Sequence, residues 1–141
     1  MRQHKIIPDV VARQDVCVLL ADASVLEGAR QMAQRNIAAL IVVDAAKKMI
    51  GIVTERDMTQ KVLAKGVDPK TATLGQIMTR DPDTVSPDDS AADALELMQT
   101  RKYRHLPVAE EGRCVAVVSV RDLFAVVKAD LEREVQETEA F

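Results

Sequence analysis

The sequence predicts an α+β fold of two β-α-β-β-α repeats packed with pseudo-two-fold symmetry. Three observations carry this: an internal duplication, a capping signature opening a helix in each copy, and a pair of β-rich runs after each helix. Laying Ser24–Asp44 over Ser90–Glu110, a shift of 66, matches Met32 with Met98, Arg35 with Arg101, Leu40 with Leu106 and Val42 with Val108. Laying Met49–Met58 over Cys114–Leu123, a shift of 65, matches Val53, Arg56 and Asp57 with Val118, Arg121 and Asp122, and Thr54 with Ser119. The single residue lost between the blocks falls where a hairpin turn is expected. Few identities on a matched pattern are the mark of diverged copies.

Taken in order, each copy opens with a short strand, near residues 16–20 and 84–86. Ser24-x-x-Glu27 and Ser90-x-x-Asp93 are capping boxes ahead of helices. Val25, Ala29 and Met32 in the first helix, and Ala91, Leu95 and Met98 in the second, form the apolar stripe that each should bury. Two β-rich runs follow, Ala39–Val43 and Met49–Val53 in the first copy, Leu106–Ala109 and Cys114–Val118 in the second. Asp44–Lys48 and Glu110–Arg113 are their connecting turns. Pro107 has no N–H to donate, which predicts an edge or short strand. Second helices are expected over Glu55–Lys65, stopped by Gly66 at the C′ position, and from Val120 onward. Val67–Gln76, with Pro69 and Gly75, reads as a linker. The expected boundaries are 8–66 and 74–128 for the repeats and 129–141 for a C-terminal helical extension.

Composition narrows the function. A net charge of −3 argues against a nucleic-acid or anionic-membrane surface, both of which need clustered Lys and Arg. No apolar run approaches the roughly 18 residues of a bilayer span, and the first residues lack the apolar stretch of a secretory signal, which makes the cytoplasm the expected compartment. With no Trp, one Tyr and two Phe, a stacking platform for single strands is not expected. Cys17 and Cys114 have no CxxC spacing and read as small buried hydrophobes. His4 lies in a terminus expected to be loose, leaving His105 as the other histidine. No Ser-His-Asp set, HExxH, P-loop or Cys/His metal cluster is present, and Asp88-Asp89 reads as helix-start charge. Catalysis, a metal and a required cofactor are therefore not expected.

A unit of about 60 residues buries too little surface to be comfortable alone. Two copies face to face share a core and leave symmetric clefts between them, where a small ligand should sit. The segments Gly51-Ile52-Val53-Thr54-Glu55-Arg56-Asp57 and Ala116-Val117-Val118-Ser119-Val120-Arg121-Asp122 end a strand in a hydroxyl, with an aspartate three residues on. The hydroxyl and free helix N–H groups suit a phosphate oxygen, and the carboxylate suits the two hydroxyls of a ribose. The same residues also suit plain N-caps and first-turn dipole partners, and both readings stand at this point.

The doubled G-h-h-[ST]-x-x-D pattern, together with Met78–Ser90 and Tyr103-Arg104-His105-Leu106-Pro107-Val108, resembles a tandem pair of CBS (cystathionine β-synthase) domains, a Bateman module, over about residues 8–128. The resemblance implies a stand-alone regulatory sensor that binds AMP, ADP, ATP, NAD or S-adenosylmethionine between its repeats. Carried over, it implies one cleft of Thr54, Asp57, Asp83, Arg104 and His105, and another of Ser119, Asp122, Cys17, Ala38 and Ala39. The two basic side chains of the first cleft make it the expected tighter phosphate site. Ala116, where glycine is usual, is expected to hinder the second. Tyr103 reads as rim packing rather than a base stack.

Phe124, Val127, Leu131 and Val135 recur at helical spacing along the last helix. Such a stripe must cover something. A second copy is expected, since family members pair, the rival being a helix folded back on its own module. The alternative to nucleotide sensing is a structural, dimerising module with vestigial clefts. Neither reading names the regulated protein.

Overall fold

Ser24 and Ser90 each begin a helix, and the two helices end alike. In the computed structural model, which describes residues 3–139, α1 (Val25–Arg35) and α4 (Ala91–Arg101) are capped by Ser24 Oγ and Ser90 Oγ, which accept from the Glu27 and Asp93 amides at 3.0 and 3.1 Å. Both helices stop in a left-handed residue, Asn36 at φ 52° and Lys102 at φ 61°. The buried stripe differs by one position from the expected one. Val25, Gly28 and Met32 are buried in α1, and Ala91, Ala94 and Met98 in α4, so Ala29 and Leu95 flank the contact instead of centring it.

The strands are β1 (Val18–Leu20), β2 (Ala39–Val43), β3 (Met49–Thr54), β4 (Thr79–Arg80), β5 (His105–Glu110) and β6 (Arg113–Ser119). One sheet runs β1-β2-β3-β4 and the other pairs β5 with β6. β1 is parallel to β2, and the hairpins β2-β3 and β5-β6 are antiparallel. The Glu111-Gly112 turn holds both residues at positive φ, 54° and 78°, the twist that suits a two-residue hairpin. β5 is not short, but it is an edge of its two-stranded sheet, as Pro107 suggested, with a single isolated bridge on its open side. It spans six residues and lies between β6 and Val85. The proline acts one strand away. In the first repeat the Ile41 amide donates to the Cys17 carbonyl at 2.9 Å; the matched donor in the second is Pro107, which has none. The parallel pairing there shrinks to a single bridge, Val85 to Val108, and Asp83 is left out of the sheet.

The repeats exchange their leading segments. β4 belongs by sequence to the second copy but pairs with β3, Gly51 opposite Arg80. Ala72, Leu74, Ile77 and Met78 are buried in the core of the first repeat, so the stretch read as a linker instead carries α3 (Leu74–Ile77) and core side chains. Reciprocally, Ile6 is fully buried in the core of the second repeat with Ile7, Val10 and Val11 against it. Gln14 joins β6, its amide donating to the Val115 carbonyl at 2.9 Å and its Oε1 accepting from the Val117 amide at 3.1 Å. The leading segment, among the described residues, is accordingly not loose. His4 Nε2 lies 2.8 and 3.0 Å from the Asp130 carboxylate oxygens, a part-buried pairing between the leading segment and the last helix. A third cluster, Ala39, Ile41, Val43 and Ile52 with Val16, Cys114 and Val117 against it, fills the space between the repeats.

α2 (Glu55–Met58) runs on through a wider turn at Thr59–Leu63, and Gly66 at φ 63° follows. α5 (Val120–Glu139) is one continuous helix; Met1, Arg2, Ala140 and Phe141, the last two part of the expected extension, lie outside the described residues. Leu123 and Asp130 face inward, while Phe124, Leu131 and Val135 are exposed.

Gly51 shows what its motif position does here. A Cβ at Gly51 would meet the Met78 side chain, with Cγ at 2.9 Å, and the Thr79 carbonyl oxygen at 3.0 Å. The glycine admits the exchanged strand. Replacing it (Gly51→Val) should cost about 1–3 kcal/mol by overpacking, read as a lower urea midpoint; an unchanged midpoint would show that β4 does not press on β3.

Candidate functional site

β3 ends at Thr54 and β6 at Ser119, and in both places the chain turns directly into a helix. Asp57 Oδ2 accepts from the Thr54 amide at 2.9 Å and from Thr54 Oγ1 at 3.2 Å, and the Asp57 amide donates to Thr54 Oγ1 at 3.3 Å. In the second copy the Ser119 amide donates to Asp122 Oδ2 at 2.8 Å and the Asp122 amide to Ser119 Oγ at 3.1 Å. The capping role left open by the sequence is thus observed in both copies. It does not use up the side chains, because a carboxylate has about four acceptor positions.

The backbone opposite is fixed in the same repeated way. The Glu55 amide donates to the Ala38 carbonyl at 3.0 Å, and the Val120 amide to the Arg104 carbonyl at 2.9 Å. Ala38 and Arg104 are matched positions, each just ahead of the strand that enters the core. Two clefts result. Thr54, Asp57, Asp83, Arg104 and His105 line one of about 220 Å³. Ser119, Asp122, Cys17, Ala38 and Ala39 line the other, of about 800 Å³. Each expected set comes together. The larger cleft falls within the roughly 300–1,000 Å³ of small-molecule sites and the smaller below it.

One expectation about them is overturned. Arg104 and His105 line both clefts, as do Ala38 and Glu55, because β5 begins where the two repeats meet. The basic pair therefore does not distinguish the first cleft. Each cleft also has two further basic side chains on its wall, Arg56 and Lys102 in the first and Arg35 and Arg121 in the second, residues not singled out from the sequence. The duplication was the available signal: Arg35 matches Arg101, and Arg121 matches Arg56. Arg35 is held by the Asp15 backbone carbonyl and lies 3.8 Å from the Asp15 carboxylate. Ala116 is buried and does not line the second cleft.

Burial pushes His105 below the ordinary histidine range, and Arg104 pushes it the same way, against the upward pull of Glu55 and Asp122. Burial also raises Tyr103, helped by the nearby Asp83 carboxylate; Tyr103 lines the smaller cleft while packing against the second core. Asp83 sits 3.9 Å from Arg101. Cys114 is pushed up to about 11 by burial and is a thiol at neutral pH, its Sγ 3.1 Å from the Ala116 carbonyl. Among the described residues no three His, Cys, Asp or Glu side chains are grouped to hold a metal ion, and no helix is long and apolar enough to cross a membrane.

The CBS domain family model matches the chain twice, at residues 7–64 and 74–129. The chain is 33% identical over 133 residues to CBS domain-containing protein CBSCBSPB5 of Arabidopsis thaliana, covering 92% of this chain but only 24% of that protein's length. Among solved structures, a protein with CBS domains from Burkholderia ambifaria is 35% identical with a TM-score of 0.77, over 84% of this chain and 85% of that one. The CBS domain pair of protein MJ0100, solved in complex with 5-methylthioadenosine and S-adenosyl-L-methionine, has a TM-score of 0.81 at 24% identity, covering 92% of this chain and 99% of that one.

The depressed His105 predicts a pH dependence with a definite sign. Near the ordinary value of 6.5 the unfolded chain takes up a proton that the folded chain resists. Stability from this group is therefore complete above that value and lost as pH falls through it. Thermal melts between about pH 7.5 and 5.5 should show a smaller acid loss for His105→Gln than for the parent protein; equal losses would mean that His105 is not held neutral.

Proposed function

The chain belongs to the CBS domain family as a pair of such domains, and from this we propose that it is a regulatory module that binds an adenine nucleotide between its repeats and performs no reaction on it. The observation that carries the reading is the convergence in each cleft of a hydroxyl-aspartate pair from one repeat on small or basic side chains from the other. The Ser119/Asp122 cleft is the principal site. Its volume suits a nucleotide. Arg35, Arg104 and Arg121 are placed around it for charge-assisted bonds to phosphate. Asp122 offers acceptors to a ribose diol, and Cys17, Ala38 and Ala39 leave room for a flat base. The adenosyl ligands of the MJ0100 pair, which shares this fold, agree with the class. AMP, ADP or ATP fits the basic wall best; NAD and S-adenosylmethionine are the other members to test.

Regulation then follows from differential binding. A ligand touching both repeats favours the arrangement it fits, and only that difference can be passed to a partner protein. Thermal melts with AMP, ADP, ATP, NAD and S-adenosylmethionine test the proposal. The true ligand at a hundred times its dissociation constant should stabilise by about 2.7 kcal/mol, and Asp122→Ala should weaken it about tenfold or more. Silence across the whole panel would sink the nucleotide reading.

A second feature supports self-association. Phe124, Leu131 and Val135 on α5 are 52%, 50% and 55% exposed, an apolar stripe on a helix whose other face is already buried. We propose that a second copy of the chain covers it. Sedimentation at micromolar concentration should give a dimer, and Leu131→Glu a monomer of unchanged fold; a monomeric parent protein would reject the pairing and leave the clefts unaffected.

A further inference from the structure

Lys61 lies one helical turn beyond Asp57, and the two side chains meet. Its ammonium is 2.9 Å from Asp57 Oδ1 and also donates to the Ile77 carbonyl at 2.8 Å, so it is held from two sides. The pair is not a loose surface contact: the Asp57 side chain is only 14% exposed. With Oδ1 on Lys61 and Oδ2 accepting both the amide and the hydroxyl of Thr54, three of about four acceptor positions on Asp57 are filled. The Thr54 hydroxyl proton is directed at Asp57.

The second copy has none of this. The position matched to Lys61 is Val126. The Ser119 amide takes one acceptor position on Asp122, Ser119 Oγ only accepts, from the Asp122 amide, and among the described residues no cation lies within ion-pair distance of Asp122. A ribose diol brings two donors. Asp122 has room for both and Asp57 for one.

Building on the nucleotide reading above, we infer that Lys61 is a specificity-determining residue: an internal cation that occupies Asp57, bars a ribose diol from the smaller cleft, and makes the two clefts unequal. It acts through Asp57, as a positioning residue, and lies behind the cleft wall instead of lining it. The physical basis is competition. A diol entering the first cleft must displace or share an ion pair already supported by a second bond to Ile77, whereas in the other cleft it meets a carboxylate without a cation.

Calorimetry with AMP tests this in a background where the principal cleft is disabled by Asp122→Ala. Adding Lys61→Met should tighten AMP binding at the remaining cleft by about tenfold, and Lys61→Gln, which keeps a polar donor toward Ile77, should do so in part. Lys61→Arg, retaining the cation, should give no gain. The gain should vanish with 2′-deoxy-AMP, which has no diol; a merely loosened cleft would show the same gain with both ligands and overturn the inference. Unchanged or weaker AMP binding in both Lys61→Met and Lys61→Gln overturns it too. In those cases the parent protein still binds AMP and loses it with Asp122→Ala, and the nucleotide reading survives. Absence of binding to AMP, ADP, ATP, NAD and S-adenosylmethionine alike in the parent protein removes both.

Discussion

Ile6 is fully enclosed by side chains of the second repeat, and Leu74, Ile77 and Met78 are enclosed by those of the first, so each core is finished by a segment that the chain supplies ahead of the opposite copy. The clefts depend on this reciprocal burial. A unit of about 60 residues is marginal on its own, and the exchange joins two such units at two places related by the pseudo-two-fold. The strands β4 and the stretch around Gln14 extend the sheets across the boundary. β2 is buried over its whole length because one face, Leu40 and Val42, belongs to its own core and the other, Ala39, Ile41 and Val43, to the layer between repeats. With both faces committed, a rotation of one copy against the other is resisted by both cores, which narrows the range of spacings each cleft can take.

What could be read from the sequence was whatever is encoded locally and twice. Serine caps, alternating strands and the hairpin turns report only on nearby residues, and seeing each in both copies made the fold class legible. The exchange was not legible, because Leu74 and Ile77 announce that they need cover without saying which copy provides it. The same blindness made His4 seem loose; its partner, Asp130, is 126 residues away. Pro107 was noticed for the right reason, a missing donor, but its effect falls on Asp83 and Val85 and not on the length of its own strand. The one-position error in the helix stripes has a similar origin: Gly28 has no side chain to signal burial, yet its Cβ position would press within 3.3 Å of Leu40.

At the clefts, the residues carried over by resemblance do gather on two walls, since a repeated motif in a repeated fold must face its counterpart. Their inequality was misread. The resemblance assigned Arg104 and His105 to one side, whereas β5 starts at the meeting point of the repeats and presents them to both. The more telling difference sits outside the motif, four residues past each aspartate, where one copy has Lys61 and the other Val126. A charge on the same helix as a candidate ligand group was visible in the sequence as an ordinary i,i+4 pair. Only the placement of Asp57, largely enclosed and with Thr54 on its other oxygen, gives that pair a consequence for binding.

The shared wall also shapes how a bound ligand could be felt elsewhere. Glu55 and His105 face both clefts, and His105 is already poised between two carboxylates that draw a proton toward it and a burial that repels one. A phosphate placed beside His105 favours its charged form, so on the proposed reading binding takes up a proton and tightens as pH falls, opposite in sign to the effect of acid on the empty fold. The Ser119/Asp122 cleft, moreover, lies at the root of α5, whose first amide is tied to Arg104. That helix runs 20 residues, about 30 Å, as one rod, and midway along it Asp130 grips His4 of the exchanged segment. A displacement at the cleft therefore has two rigid routes outward, along the exposed stripe of α5 and back through Ile6 into the core of the second repeat, and both begin at the carboxylate without a lysine beside it.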